Sequence, residues 1–159
     1  MGNACNGCFA GLTSSPANPQ MDPNRAENVR DHKALAAAAQ KGNVEHVSAL
    51  LTVADPLWPD EGFFMYTALH LAAASGHAEV VRLLLEDDRV QGRSAIDVRS
   101  TSDETPFLMA ARGRKREVCK LFLDRGADLE AKTNYKGNLA RSVRSYLEEA
   151  GFADLLEES

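Results

Sequence analysis

Three stretches of this chain share one order of small apolar, large apolar and polar positions. They read KALAAAAQKGNVEHVSALL (33–51), TALHLAAASGHAEVVRLLL (67–85) and TPFLMAARGRKREVCKLFL (105–123). Lys33, Thr67 and Thr105 hold the same place, so the units recur after 34 and then 38 residues. Each unit predicts a short alanine-rich helix, a turn, and a second helix with Val and Leu on one face. In the middle unit Val80, Val81, Leu84 and Leu85 fall at i, i+1, i+4 and i+5, a single apolar stripe. Ala38, Ala72, Ala73, Ala110 and Ala111 are small enough for neighbouring pairs to approach closely. One pair alone cannot bury its stripe, so the pattern predicts a stack with a continuous core.

At these residues a resemblance becomes explicit. Thr67-Ala68-Leu69-His70-Leu71-Ala72-Ala73, then Gly76-His77 and Glu79-Val80-Val81-Arg82-Leu83-Leu84-Leu85, resembles a near-consensus ankyrin repeat. Gly126-Ala127-Asp128-Leu129-Glu130-Ala131-Lys132, with Gly137 beyond, is similar to the finger between such repeats. The resemblance spans about 31–156 and implies an all-α, short ankyrin-repeat solenoid of three to four helix–turn–helix repeats. The repeats fall near 32–65, 66–103 and 104–136, with a C-terminal cap at 137–159, so the domain covers 29–159. The first repeat lacks the Thr-Pro-Leu-His start. In the third, Leu108 stands at the motif histidine and Arg114-Lys115 at Gly-His. The finger at 87–104 carries several extra residues. In the degenerate last unit Tyr146, Leu147, Phe152, Leu155 and Leu156 are the expected buried face, with Glu148, Glu149, Glu157 and Glu158 outside.

The resemblance also implies that His70 is structural, its ring bonded across repeats near Thr67. His77 lies in the turn between helices, and His32 and His46 complete the four histidines. By the same analogy the expected activity is non-enzymatic recognition of a protein partner.

The first 28 residues differ. Pro16, Pro19 and Pro23 in an Asn- and Ser-rich context read as a disordered linker. Met1-Gly2-Asn3-Ala4-Cys5-Asn6-Gly7-Cys8 resembles an N-myristoylation signal on Gly2, with Asn6 where Ser or Thr is usual. One myristoyl chain binds membranes marginally, so a second signal is required. No Lys or Arg precedes Arg25, which leaves palmitoylation of Cys5 and Cys8 to supply it. The expected location is the cytoplasmic face of a membrane, with soluble cytosol or nucleus as the alternative.

Composition narrows this further. The chain has 159 residues, 44% hydrophobic and 26% charged, and 18 basic against 23 acidic residues give a net charge of −5. That argues against a nucleic-acid binder held by bulk charge. No apolar run approaches the roughly 18 residues of a spanning helix. Three cysteines (Cys5, Cys8, Cys119) make no disulfide framework. Cys5 and Cys8 form half a zinc site with no second pair nearby, so no metal is expected, and Cys119 reads as a core thiol. No hydrolase, phosphate-loop, zinc-protease or kinase signature is present, so no catalytic residue, cofactor or small-molecule substrate is expected. The acidic pairs Asp60-Glu61 and Asp103-Glu104 read as solvated surface.

Two surfaces carry the binding expectation. Trp58, Phe63, Phe64, Met65 and Tyr66 crowd one finger, and such residues are enriched at interface hot spots. At least one ring, Phe64 the first choice, is expected to plug the junction with the first repeat. The basic run Arg112, Arg114, Lys115 and Arg116, with Lys120 and Arg125 beyond, could meet anionic lipid, an acidic partner or an import receptor. Read as surface, it is a solvated turn.

Overall fold

The computed structural model describes residues 25–133 and 141–157, so Gly2, Cys5, Cys8 and most of the linker lie outside the described residues. Among the described residues the helices run α1 (Arg25–Lys41), α2 (Val44–Leu50), α3 (Ala68–Ser75), α4 (Ala78–Glu86), the short finger helix α5 (Arg93–Ile96), α6 (Pro106–Arg112) and α7 (Arg116–Asp124). A last pair, α8 (Val143–Glu149) and α9 (Asp154–Glu157), closes the stack. The inner layer runs α1, α3, α6, α8 and the outer layer α2, α4, α7, each helix packed on the next. The alanines behave as expected: Ala38, Ala39, Ala72, Ala73, Ala110 and Ala111 are all buried where inner helices meet.

The first helix begins at Arg25, so the linker boundary expected at residue 28 falls inside it. Its sequence, RAENVRDHKALAAAAQK, is made largely of strong helix formers. The extra residues of the second finger fold as a 3₁₀ turn (Asp88–Val90) and α5, which bury Val90 and Ile96. In the last unit Leu147 and Leu155 are buried, while Tyr146, Phe152 and Leu156 pack against the core half-buried.

Register is set at the turns between paired helices. Gly42, Gly76 and Arg114 hold the same place, and all three are left-handed, with φ of 76°, 86° and 55°. A Cβ on Gly42 would lie 2.5 Å from the His77 ring, and one on Gly76 would lie 2.5 Å from Lys115 Cδ. Each unit thus rests a side chain on the previous unit's glycine. His77 Nε2–H also donates to the Gln40 carbonyl at 3.0 Å. Lys115, standing where the motif has His, keeps the packing through its aliphatic stem.

Two arginines tie the outer layer together. Arg89 donates to the Leu51 and Ala54 carbonyls at 2.6 and 2.8 Å, just beyond α2. Asp87 orients it through two bonds of 2.8 and 2.7 Å, and the Arg89 hydrogen bond holds the Asp87 carboxyl below its usual range. Arg125 donates in the same way to the Leu85 carbonyl of α4. These are cations seated on carbonyls at helix C-terminal ends, where the helix dipole favours them.

Candidate functional site

The first finger folds back on itself at Asp60 and Tyr66. Asp60 N–H donates to the Tyr66 carbonyl at 3.0 Å, and the Asp60 carbonyl accepts from Phe63 and Met65 at 2.9 and 3.0 Å. Asp60 Oδ1 accepts from Gly62 N–H at 3.0 Å. Phe64 and Met65 are left-handed, with φ of 54° and 59°. That conformation costs about 1–2 kcal/mol per non-glycine residue. The second finger holds it in place: Thr101 N–H and Oγ1–H donate to the Phe64 carbonyl at 3.0 and 3.2 Å.

This backbone overturns the expectation for Phe64. The left-handed residue turns its ring outward, and Phe64 is 58% exposed and Phe63 45%, so neither plugs the junction. Phe63, Phe64 and Tyr66 form a three-ring cluster with centroids 5.5–5.9 Å apart. Trp58 stands elsewhere, half-buried, its ring stacked on His32 of α1 at 5.1 Å. Met65 and Tyr66 are half-buried.

Beneath the cluster lies a carboxylate that the sequence reading placed in solvent. Glu104 is buried, its side chain 4% exposed. Oε2 accepts from the Tyr66 hydroxyl at 3.1 Å and Oε1 pairs with Arg112. Its burial is tolerable because both oxygens are satisfied and one partner is a cation. Burial first, and the Glu104 carboxylate second, raise the Tyr66 phenol above its ordinary pKa. The missed signal was non-local: Tyr66 is 38 residues away and Arg112 eight.

His70 ties this post to the stack, as the repeat pattern implied. Its Nδ1 accepts from Thr67 N–H at 3.2 Å and lies 3.0 Å from Thr67 Oγ1. Nε2–H donates to the Glu104 carbonyl at 3.1 Å, so one neutral ring bridges two units. The third unit has Leu108 there; its cap is carried by Thr105 Oγ1, which accepts from Leu108 N–H at 3.2 Å.

The basic run does not form one patch. Arg112 turns to Glu104, Lys115 lies along Gly76, and Arg116 pairs with Asp154 and covers the Phe152 ring at 5.4 Å. Arg114 lines a cleft near α8 that Arg112 also borders. Arg112 and Arg114 thus border one cleft, while Lys115 and Arg116 lie on other surfaces. Cys119 is fully buried and its thiol is pushed up to about 12 by burial, which keeps it protonated and unreactive. Among the described residues no cluster of metal-ligating side chains occurs, and no helix is long and apolar enough to cross a membrane.

The family profile described as ankyrin repeats (3 copies) matches residues 4–93 and 35–133. Among curated proteins the chain is 36% identical to a "Probable E3 ubiquitin-protein ligase XBOS31" of Oryza sativa subsp. japonica. That match covers 62% of this chain and 21% of the relative. It is 34% identical to protein phosphatase 1 regulatory subunit 12A of Mus musculus, over 52% of this chain and 8% of the relative. It is 45% identical to human ankyrin repeat and KH domain-containing protein 1, over 41% and 2%. The chain therefore spans about a fifth of the first relative's length and under a tenth of the other two.

Proposed function

This chain belongs to the ankyrin-repeat family, and from that premise we propose that it is a non-enzymatic adaptor whose first finger selects a protein partner near a membrane. Ankyrin repeats are a protein-interaction domain. The finer reading rests on one observation: Phe63 and Phe64 are large, exposed and held in a left-handed loop by a neighbouring finger. Strained backbone and exposed aromatic rings coincide at sites that bind. Pre-ordering the loop lowers the entropy lost when a partner docks.

Phe63→Ala and Phe64→Ala, combined, are expected to weaken capture of the native partner by tenfold or more, on the order of a hot-spot loss. Thermal stability should change little, because both rings are exposed. Capture that persists in the double variant overturns the fingertip reading.

The membrane half rests on Gly2, Cys5 and Cys8. Acyl groups there would concentrate a captured partner at the cytoplasmic face. Gly2→Ala is expected to shift the protein from membrane to soluble fractions, and intact mass of the native N-terminal peptide should show myristate with thioester-linked palmitate. An unmodified N-terminus removes the anchor and leaves a soluble ankyrin-repeat regulator of a cytosolic or nuclear partner.

A further inference from the structure

A cleft of about 90 Å³ opens between α6 and α8, lined by Ala111, Arg112, Arg114, Tyr146, Glu149 and Ala150. Its charges do not balance. Its lining holds Arg112, Arg114 and Glu149, and just outside it Glu104 pairs with Arg112 and Arg141 with Glu149, so three guanidinium groups stand against two carboxylates. Arg112 is taken by Glu104; Arg141 pairs with Glu149 at 2.5 Å and covers the Tyr146 ring at 5.8 Å. The Arg114 side chain has no ion pair or hydrogen bond among the described residues; its backbone N–H donates to the Ala111 carbonyl at 3.0 Å. It also occupies the left-handed position that the first two units give to Gly42 and Gly76. Glycine would adopt that backbone freely, whereas arginine gives up about 1–2 kcal/mol to do so. A cation kept in an unfavourable backbone at the rim of a cleft, with its head unused by the fold, is placed for a ligand.

We propose that this cleft takes an Asp or Glu side chain of the protein partner, with Arg114 as its principal contact and Arg112 as the second. One added carboxylate brings the cluster to neutrality. The Tyr146 ring and the methyl groups of Ala111 and Ala150 give its methylene an apolar seat. A guanidinium fork meets a carboxylate through paired hydrogen bonds, stronger than neutral ones. The inference rests on the protein-interaction reading and deepens it. Arg112 lines the cleft and, through Glu104, meets Tyr66 of the aromatic cluster, so the two contacts flank one carboxylate. The partner segment then carries an apolar anchor for Phe63 and Phe64 and an acidic residue for Arg114.

The test titrates the full chain with the monoanion N-acetyl-glutamic acid α-amide, its neutral glutamine counterpart, and inorganic phosphate, followed by nuclear magnetic resonance. Saturable shifts are expected at the Arg114 amide and at the Ala111 and Ala150 methyls with the glutamate probe, and none with the glutamine probe. Arg114→Gly should weaken that binding about tenfold or more, the loss of a charged hydrogen-bond pair, and should raise Tm by relieving the backbone. Equal shifts from the neutral probe, unchanged binding in Arg114→Gly, or a lowered Tm in that variant would each overturn the proposal. So would tighter binding of phosphate, or Arg114-dependent binding to phosphatidylglycerol vesicles without any glutamate response. The small probe does not touch the fingertip, so Phe63→Ala with Phe64→Ala leaves its binding intact. The two readings therefore fail separately.

Discussion

Replacing Phe107 by alanine is expected to cost about 4 kcal/mol, in the range for truncating a fully buried phenylalanine. The ring is wholly buried and stacks on Phe122 at 5.5 Å and 22°. The second unit has Leu69 and Leu84 at the same two places, so the third unit fills the space between its helices with a ring pair instead. Removing one ring leaves a cavity and strips the other of its partner. The position matters as much as the volume, because α6 packs on both α3 and α8. In a stack held by nearest-neighbour contacts, weakening one middle unit uncouples those on either side. A domain of this size has about 5–15 kcal/mol in total, so the loss is a large fraction. Urea unfolding read two ways checks it. Trp58, the single tryptophan, reports the first unit, and far-ultraviolet circular dichroism reports all helices. The two transitions should coincide in the native chain. In Phe107→Ala the dichroism should fall first, as the C-terminal half melts ahead of Trp58. Phe107→Leu, which restores the second unit's residue, should cost less than half as much. A loss below about 1 kcal/mol in the alanine variant would be incompatible with a packed ring pair.

The fold was readable because a repeat states each contact several times. Thr67 and Thr105, Leu69 and Phe107, and Leu84 and Phe122 occupy equal places, and the structure gives each pair equal roles at helix starts and in the core. His70 was legible for the same reason. What escaped were features that no repeat encodes. Glu104 looked solvated because a carboxylate in a finger usually is. Its burial depends on Tyr66 from one finger and Arg112 from the end of another helix. Phe64 looked like a plug because a phenylalanine beside a junction usually packs inward. Two consecutive left-handed residues turned it out, and no residue preference announces such a turn at Phe-Met. The run from Arg112 to Arg116 looked like one patch because sequence neighbours share a stretch of chain. The turn at Gly113 and Arg114 sends its members to Glu104, to the cleft, to Gly76 and to Asp154. Side-chain destinations set by distant partners were the illegible part, and the candidate site is made of them.

Acidification from pH 7 to pH 4 is expected to remove about 3 kcal/mol of stability through His70 alone. The ring is fully buried, and burial pushes its pKa from 6.5 down to about 4. The hydrogen bond to the Glu104 carbonyl works the other way and favours the charged ring, but burial outweighs it. Nε2–H already donates to the Glu104 carbonyl, so the new proton must sit on Nδ1, where Thr67 N–H points. The sign follows from which state binds the proton. Above pH 6.5 both states are neutral and stability is full. Between 6.5 and about 4 the unfolded chain protonates and the folded ring resists, so stability falls as pH falls. Below about 4 both states are charged and this contribution levels off. The carboxyls of Asp87 and Asp154, which their arginine partners hold below the usual range, add their losses at lower pH than this window. Comparing the native chain with His70→Ala isolates the effect. At pH 7 the variant should be weaker by about 3 kcal/mol, since it opens a cavity and orphans Thr67 N–H and the Glu104 carbonyl. At pH 4.5 most of that gap should close, because the native ring then opposes its own fold while alanine does not titrate. A gap that stays constant from pH 7 to 4.5 would mean the folded ring titrates like a free one. The ring also lies against Tyr66 at 5.4 Å. The same acidification should therefore loosen the fingertip, and partner capture should weaken in the native chain across the window in which its stability falls.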